Sequence, residues 1–261
     1  MINPKIPVFI PYGYRGVGKT MLIMQLIRYL RQEGYIVRPN LLFKEESDHD
    51  YHSLCQGYMN QLHNVLALAA TGVKDTILID VMDHKGVPVC YMIDQAGEHQ
   101  YDIYNPHSAI SQEMYNIVKL PNRKIWGFMV ENNNWLDIQQ RQGYVQNIKK
   151  LSFITHTPKD KVIFIYNKVD LTPFVVDYSK INYKGLFDSA DSVFPDIFAP
   201  FEELNIFKKI LRGKYTMTLL PFQTGDFTCC SDLYGNTYTS FTIGPFEYPK
   251  RLWNEILKCI R

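Results

Sequence analysis

The segment Gly13-Tyr-Arg-Gly-Val-Gly-Lys-Thr20 has the spacing G-x-x-x-x-G-K-[ST]. It lies between the apolar run Pro7 to Ile10 and a stretch of helical spacing that begins at Met21. Glycines at Gly13, Gly16 and Gly18 let the backbone wrap so that successive N–H groups, that of Val17 among them, can point inward at phosphate oxygens. The start of the following helix adds partial positive charge. Lys19 would neutralise β and γ phosphates, and the Thr20 hydroxyl would coordinate Mg²⁺. The competing reading is an accidental glycine turn, and the strand-to-helix setting argues against it.

Two further clusters stand at the ends of apolar runs. Asp94-Gln95-Ala96-Gly97 closes the run Val87 to Ile93, where Asp94 can hold a Mg²⁺-bound water and the Gly97 N–H can meet a γ phosphate. Alone, Asp and Gly at this spacing are common in turns. Asn167-Lys168-Val169-Asp170 closes the run Val162 to Tyr166. Guanine presents N1–H and N2–H₂ donors on one edge, so the Asp170 carboxylate could accept from both and reject adenine. Asn167 would brace neighbouring loops and the Lys168 stem would lie along the base. A solvated turn is the bland alternative, weakened by the order of the three motifs.

The elements that must position these groups follow from periodicity. Leu22, Ile23, Leu26, Ile27 and Leu30 predict a helix over Met21 to Arg31, with Gly34 as its stop. Thr76 to Val81 and Val87 to Ile93 flank a turn at Asp83-His84-Lys85-Gly86 and predict a hairpin. Ile125 to Val130, Val162 to Tyr166 and Tyr215 to Leu220 read as buried strands, with helices near 135–150, 200–213 and 249–260 between and after them. Alternating strands and helices with one early antiparallel hairpin predict an α/β fold: a mostly parallel six-stranded sheet with helices on both faces. One domain spanning 1–261 is expected, with insertions at about 38–73, 171–195 and 226–244. The first insertion contains Leu54, Leu62, Val65, Leu66 and Ala69, enough for a helix, and the third a hairpin about Tyr234-Gly235-Asn236.

Together the three motifs resemble the phosphate, switch-two and guanine motifs of Ras-like GTPases of the TRAFAC class, and the resemblance extends over most of the chain. The insertions and the Gly97-Glu98 pair are also similar to bacterial double-GTPase proteins of predicted conflict systems. The resemblance implies a three-layer P-loop NTPase fold, Mg²⁺ with GTP or GDP as ligand, and a switch between the two nucleotide forms. Three departures bear on it. The loop that touches the guanine oxygen often reads Ser-Ala-Lys in the family, whereas Gln223-Thr224-Gly225 stands here, so only Thr224 is carried over. The Mg²⁺-binding threonine of switch one is either Thr71 or Thr76, with Thr71 at the better distance from Asp94. Where the family often has a water-orienting Gln after the switch-two glycine, this chain has Glu98 and His99. Glu98 could accept a proton from water, but its charge would oppose a γ phosphate, and His99 could orient the water instead. Arg15, at a phosphate-loop position where Ras has glycine, either acts as an internal arginine finger or points to solvent, the reading preferred from sequence.

Composition bounds the remaining choices. The 261 residues are 46% hydrophobic and 21% charged, with a formal net charge of +2, which argues against a nucleic-acid partner despite 18 Tyr and 15 Phe. The five cysteines show no C-x-x-C or Cys/His zinc spacing and read as reduced thiols. No apolar run approaches a membrane span, no signal-peptide pattern precedes the first strand, and Cys259 stands at the wrong distance from the end for prenylation. A cytoplasmic protein without a direct membrane anchor is expected. The leading expectation is a GTP-hydrolysing switch whose nucleotide state selects a protein effector. A GTP-holding assembly subunit with little hydrolysis is the second, and an ATPase or small-molecule kinase the third.

Overall fold

The structure is a computed structural model that describes residues 2–45, 48–63, 76–132, 135–155, 160–203, 214, 216–231 and 237–261. Its frame is a seven-stranded sheet in the order β2-β3-β4-β1-β5-β6-β9. These strands are β1 (Val8–Tyr12), β2 (Ile36–Pro39), β3 (Ile77–Met82), β4 (Pro88–Asp94), β5 (Lys124–Val130), β6 (Lys161–Tyr166) and β9 (Thr218–Pro221). β4, β1, β5, β6 and β9 run parallel, and β3 lies antiparallel between β4 and β2. The central strands are apolar on both faces, β1 and β5 being buried throughout, which is what a parallel strand covered by helices requires.

The sheet has one strand more than the sequence predicts. β2 falls at the edge, pairs Ile36 with Met82 and Pro39 with Ile79, and contains two residues, Arg38 and Pro39, that open the expected first insertion. An edge position tolerates a proline.

Helix α1 (Lys19–Gln32) buries Leu22, Ile23, Leu26, Ile27 and Leu30 and is followed by Gly34 at φ 85°. It packs against α7 (Glu247–Ile260). α5 (Ile138–Thr155) meets the C-terminal end of α6 (Tyr183–Val193) through Tyr144 and Phe194, whose rings cross edge to face at 5.6 Å. Helices thus cover both faces of the sheet, giving the three-layer P-loop arrangement.

The first insertion contributes the end of β2, a short turn at Leu41–Phe43 and α2 (His49–His63), while its residues 46–47 and 64–73, including Thr71, lie outside the described residues. The second forms a small hairpin, β7 (Val175–Asp177) with β8 (Lys180–Ile181), and then α6. The third is the hairpin β10 (Gly225–Ser231) with β11 (Thr237–Ile243), its tip outside the described residues. Of the helix expected near 200–213, residues 204–213 lie outside the described residues, and the described part holds a 3₁₀ turn, Ala199–Phe201, that ends at Glu202 in extended backbone. No described helix is long and apolar enough to cross a membrane.

Candidate functional site

All three motifs emerge at the C-terminal ends of parallel strands: the phosphate loop after β1, Asp94 at the end of β4, Asn167 after β6. In an open α/β sheet this is the edge at which ligands bind. The phosphate loop leaves β1 at Gly13 and enters α1 at Lys19, so the free N–H groups of the first helical turn face the loop's hollow.

Lys19 is buried, and its Nζ donates to the carbonyls of Gly13 at 2.7 Å and Tyr14 at 2.9 Å. Two of the three ammonium hydrogens are thereby spent on holding the loop closed around the side chain. Burial lowers its pKa to about 8, opposed by Asp94 and Glu98. Asp94 is buried too. Its Oδ1 accepts from Thr20 Oγ1 at 3.1 Å, and its Oδ2 has no geometrically defined hydrogen-bond partner among the described residues. Burial raises its pKa to about 6, against the Thr20 hydrogen bond and the Lys19 charge. A buried carboxylate oxygen without a partner, beside a threonine hydroxyl, is short of a cation. Thr20 and Asp94 therefore fit Mg²⁺, which keeps several water and phosphate ligands instead of an all-protein cage.

The residues that follow Asp94 clasp the loop through α3 (Gly97–Gln100). A Cβ on Gly97 would stand 2.6 Å from the Arg15 nitrogen and 2.8 Å from Lys19 Nζ, so only glycine permits this approach. Gln100, which the sequence reading missed, is buried. Its Oε1 accepts from Gly13 N at 2.8 Å, its Nε2 donates to Pro11 O at 2.8 Å, and its own carbonyl accepts from the Tyr12 hydroxyl at 2.9 Å. Arg15 does not simply face water: Nη1 lies 3.3 Å from Glu98 Oε1, with the two side chains 54% and 46% exposed. His99 Nδ1 lies 3.9 Å from Glu113 on α4 (Gln112–Val118), and its carbonyl accepts from Ser111 Oγ. Thr76 stands next to this segment, its hydroxyl accepting from Gln95 Nε2 at 3.1 Å.

The Asn167 loop is bound to the phosphate loop from the other side. Asn167 is fully buried, and its Nδ2 donates to Val17 O at 2.7 Å. Gly18, at φ 99°, must be glycine on two counts: the left-handed backbone, and a Cβ that would fall 2.4 Å from Asn167 Nδ2. Lys168 adopts a left-handed φ of 55°, donates to Gly16 O at 3.3 Å and pairs with Glu131. Glu131, buried at the end of β5, also accepts from the Tyr14 hydroxyl at 3.2 Å. It joins the phosphate loop to the Asn167 loop, and its only sequence signal is its place just beyond an apolar strand.

Asp170 is exposed in the short turn Val169–Leu171. Partial burial lifts its carboxyl above the usual range, and the nearby Asp226 acts in the same direction. Thr224, after β9, is buried, and its Cγ2 comes within 3.9 Å of the place a Gly18 Cβ would take. Its carbonyl accepts from Gln25 Nε2 of α1 and from Gly244 N. The structure thus gathers every predicted site residue except Thr71 at one sheet edge, with Arg15 and Glu98 paired and His99 turned toward Glu113.

No protein-family model matches the chain, and no curated protein does. Among solved structures it is similar to that of the chloroplast translocon components atToc33 and psToc159, for which dimerization is important for GTPase activity. That match has a TM-score of 0.50 and 10% identity and covers 98% of this chain and 83% of the other. It also matches the S. cerevisiae Ski7 GTPase-like domain, bound to GDP and inorganic phosphate, with a TM-score of 0.43 and 14% identity over 85% of this chain and 44% of the other. At such identities the likeness to the translocon components is one of fold, the three-layer P-loop arrangement described above.

Proposed function

We propose that the chain binds GTP and GDP with Mg²⁺, hydrolyses GTP, and uses its nucleotide state to select a protein effector. The observation that carries this reading is the joining of the two loops. Asn167 and Lys168 donate to the carbonyls of Val17 and Gly16, so a base read by Asp170 and phosphates held by Gly13 to Thr20 belong to one ligand. The fold shared with translocon GTPases supports it.

In this reading the loop N–H groups and Lys19 bind the phosphates, and Gly97 N–H meets the γ phosphate. Asp170 accepts from the guanine edge, with Thr224 behind the loop. Mg²⁺ at Thr20 and Asp94 would screen charge between the β and γ phosphates. Arg15 stands where it can turn from Glu98 to a γ phosphate, and Glu98, once released, can reach toward the attacking water. Competitive titration with GTP, GDP and ATP tests the proposal: GTP and GDP should bind and ATP should compete at least about a hundredfold more weakly. Equal binding of ATP would overturn it.

A second reading is an assembly subunit that holds GTP with little turnover. It is favoured by one observation, that Glu98 and His99 are engaged by Arg15 and Glu113. Single-turnover hydrolysis with the isolated protein and with its bound partner separates the two. Rapid phosphate release in either sample removes the second reading.

A further inference from the structure

The turn that carries Gly97 is fastened to the sheet by a side chain to which the chemistry above gives no role. Gln100 is 3% exposed and spans the end of β1: its Oε1 accepts from Gly13 N, its Nε2 donates to Pro11 O, and its carbonyl accepts from the buried Tyr12 hydroxyl. A carboxamide suits this place because it sets an acceptor and a donor side by side, one for each of the two backbone groups. Tyr101 N donates to Gly97 O at 2.8 Å and closes the turn. Fixing Gln100 therefore fixes Gly97, which lies too close to the Arg15 backbone and Lys19 Nζ to accommodate a Cβ.

The segment that follows is fastened as well, to α5. The Tyr101 hydroxyl donates to Gln140 O, and Gln140 Nε2 donates to Ile103 O at 3.1 Å. Gly143 lets the two backbones approach, since a Cβ there would stand 2.5 Å from Pro106 O and 2.6 Å from the Tyr101 hydroxyl. Every one of these bonds joins two groups of the chain, one on the turn or the segment after it and one on the end of β1 or on α5. In GTPases a switch segment held by the γ phosphate is released on hydrolysis. Release of this turn would strand the amide of Gln100 together with Gly13 N and Pro11 O, and buried groups so stranded carry their full desolvation penalty.

We propose that Gln100 is a positioning residue: it holds the 97–101 turn in one place in both nucleotide forms, so that Gly97 N–H is fixed for the γ phosphate in advance. Nucleotide-dependent movement then falls outside this turn. The inference rests on the nucleotide reading above and deepens it. A donor fixed before its ligand arrives does not have to be ordered on binding, and the benefit goes to the triphosphate, because a diphosphate has no group at Gly97.

The test compares wild type with Gln100→Ala and Tyr12→Phe. Affinities for GDP and for the non-hydrolysable analogue guanylyl imidodiphosphate separate position from packing: a loosened loop weakens both alike, whereas only the analogue reaches Gly97. Gln100→Ala should weaken binding of the analogue about tenfold more than binding of GDP, the effect of one charge-assisted hydrogen bond. Tyr12→Phe keeps the buried ring and should shift the same ratio by about threefold, and it carries the test if Gln100→Ala does not fold. Amide exchange across 97–101 in the ligand-free protein should quicken about tenfold or more in Gln100→Ala, and in wild type it should agree within about threefold between the GDP and analogue complexes. An unchanged ratio in Gln100→Ala, or in Tyr12→Phe where Gln100→Ala does not fold, overturns the proposal. So does unchanged exchange in the ligand-free variant, or a larger difference in exchange between the two complexes. If wild type bound neither nucleotide, the nucleotide reading would fail, a result distinct from a wild type that binds both and a variant that loses both equally.

Discussion

The Gly13–Thr20 half and the Asn167–Asp170 half of the candidate site, proposed to hold phosphates and guanine, are built on different terms. Around Gly13 to Thr20 two ionisable groups, Lys19 and Asp94, are buried and displaced from their ordinary titration ranges, Lys19 downward and Asp94 upward, and Gly97 and Gln100 close on the loop. Around Asn167 to Asp170 the structural work falls to the buried Asn167, and the residue that would read the base stands exposed. The difference suits the ligand. Phosphates carry most of the charge and need donors fixed before arrival, whereas a base edge exchanges hydrogen bonds with water for hydrogen bonds with a carboxylate.

Separate roles make the comparison breakable. Lys19→Ala should have the largest effect, because it removes the charge aimed at the phosphates and leaves the Gly13 and Tyr14 carbonyls without their donor. GDP affinity should fall by about a hundredfold or more, consistent with the loss of charge-assisted contacts. Binding of any other nucleoside diphosphate should fall in the same proportion, which fluorescence titration with GDP and ADP can check. Loss confined to guanine nucleotides would contradict the division.

Asp170→Asn should do the reverse. An amide can accept at only one atom and presents donors where guanine also donates, so preference for GDP over ADP should drop by about 10–100-fold. Because Asp170 is exposed, the melting temperature should stay within about a degree or two of wild type. Competition binding with GDP and ADP measures the first effect and thermal unfolding the second.

The sequence disclosed the two halves unequally, for the same physical reason. The phosphate loop is legible because its pattern records backbone requirements: Gly18 sits at φ 99° against Asn167, and Gly97 abuts the Arg15 backbone. Asn167 to Asp170 is legible through its place after an apolar strand. Glu131 and Gln100, which tie the loops together, carried no pattern, since their partners are set by which strand ends meet in space. β2 escaped notice because four residues containing Arg38 and Pro39 show no strand periodicity, and their partner β3 lies some forty residues on. β7 and β8, three and two residues long, are shorter than any period can reveal. The helix in the first insertion was foreseen from its leucines, yet its buried stripe is Tyr51, Cys55 and Tyr58.

The displaced titrations of the phosphate half give a third test, in ligand-free protein. Asp94 titrates near pH 6 when folded, so between about pH 4 and 6 the folded state keeps a proton that the unfolded state releases, and stability falls as pH rises. The loss is complete above pH 6 and absent below about pH 4. The shift already includes the attraction of Lys19. Asp94→Asn mimics the protonated form, so at pH 7 it should stabilise the ligand-free protein by about 1–3 kcal/mol, raising its melting temperature by several degrees. The gain should vanish as pH approaches 4, and the variant should lose Mg²⁺-dependent nucleotide retention. A gain that persisted at pH 4 would assign the effect to packing instead of charge.

The smallest expected change in stability lies at the mouth of the phosphate loop, where it carries the most information about turnover. Arg15 and Glu98 are both about half exposed, and a solvent-screened pair of this kind contributes about 0–1 kcal/mol. Glu98→Gln should therefore leave the melting temperature nearly unchanged. It should release Arg15 from its partner and remove a negative charge that opposes the γ phosphate, so GTP should gain affinity relative to GDP by a few-fold, on the order of one screened charge contact. Hydrolysis then separates the two roles open to Glu98. A faster single-turnover rate in Glu98→Gln would identify the ion pair as a restraint on Arg15, and a rate lowered by about tenfold or more would identify the carboxylate as the group that handles the attacking water.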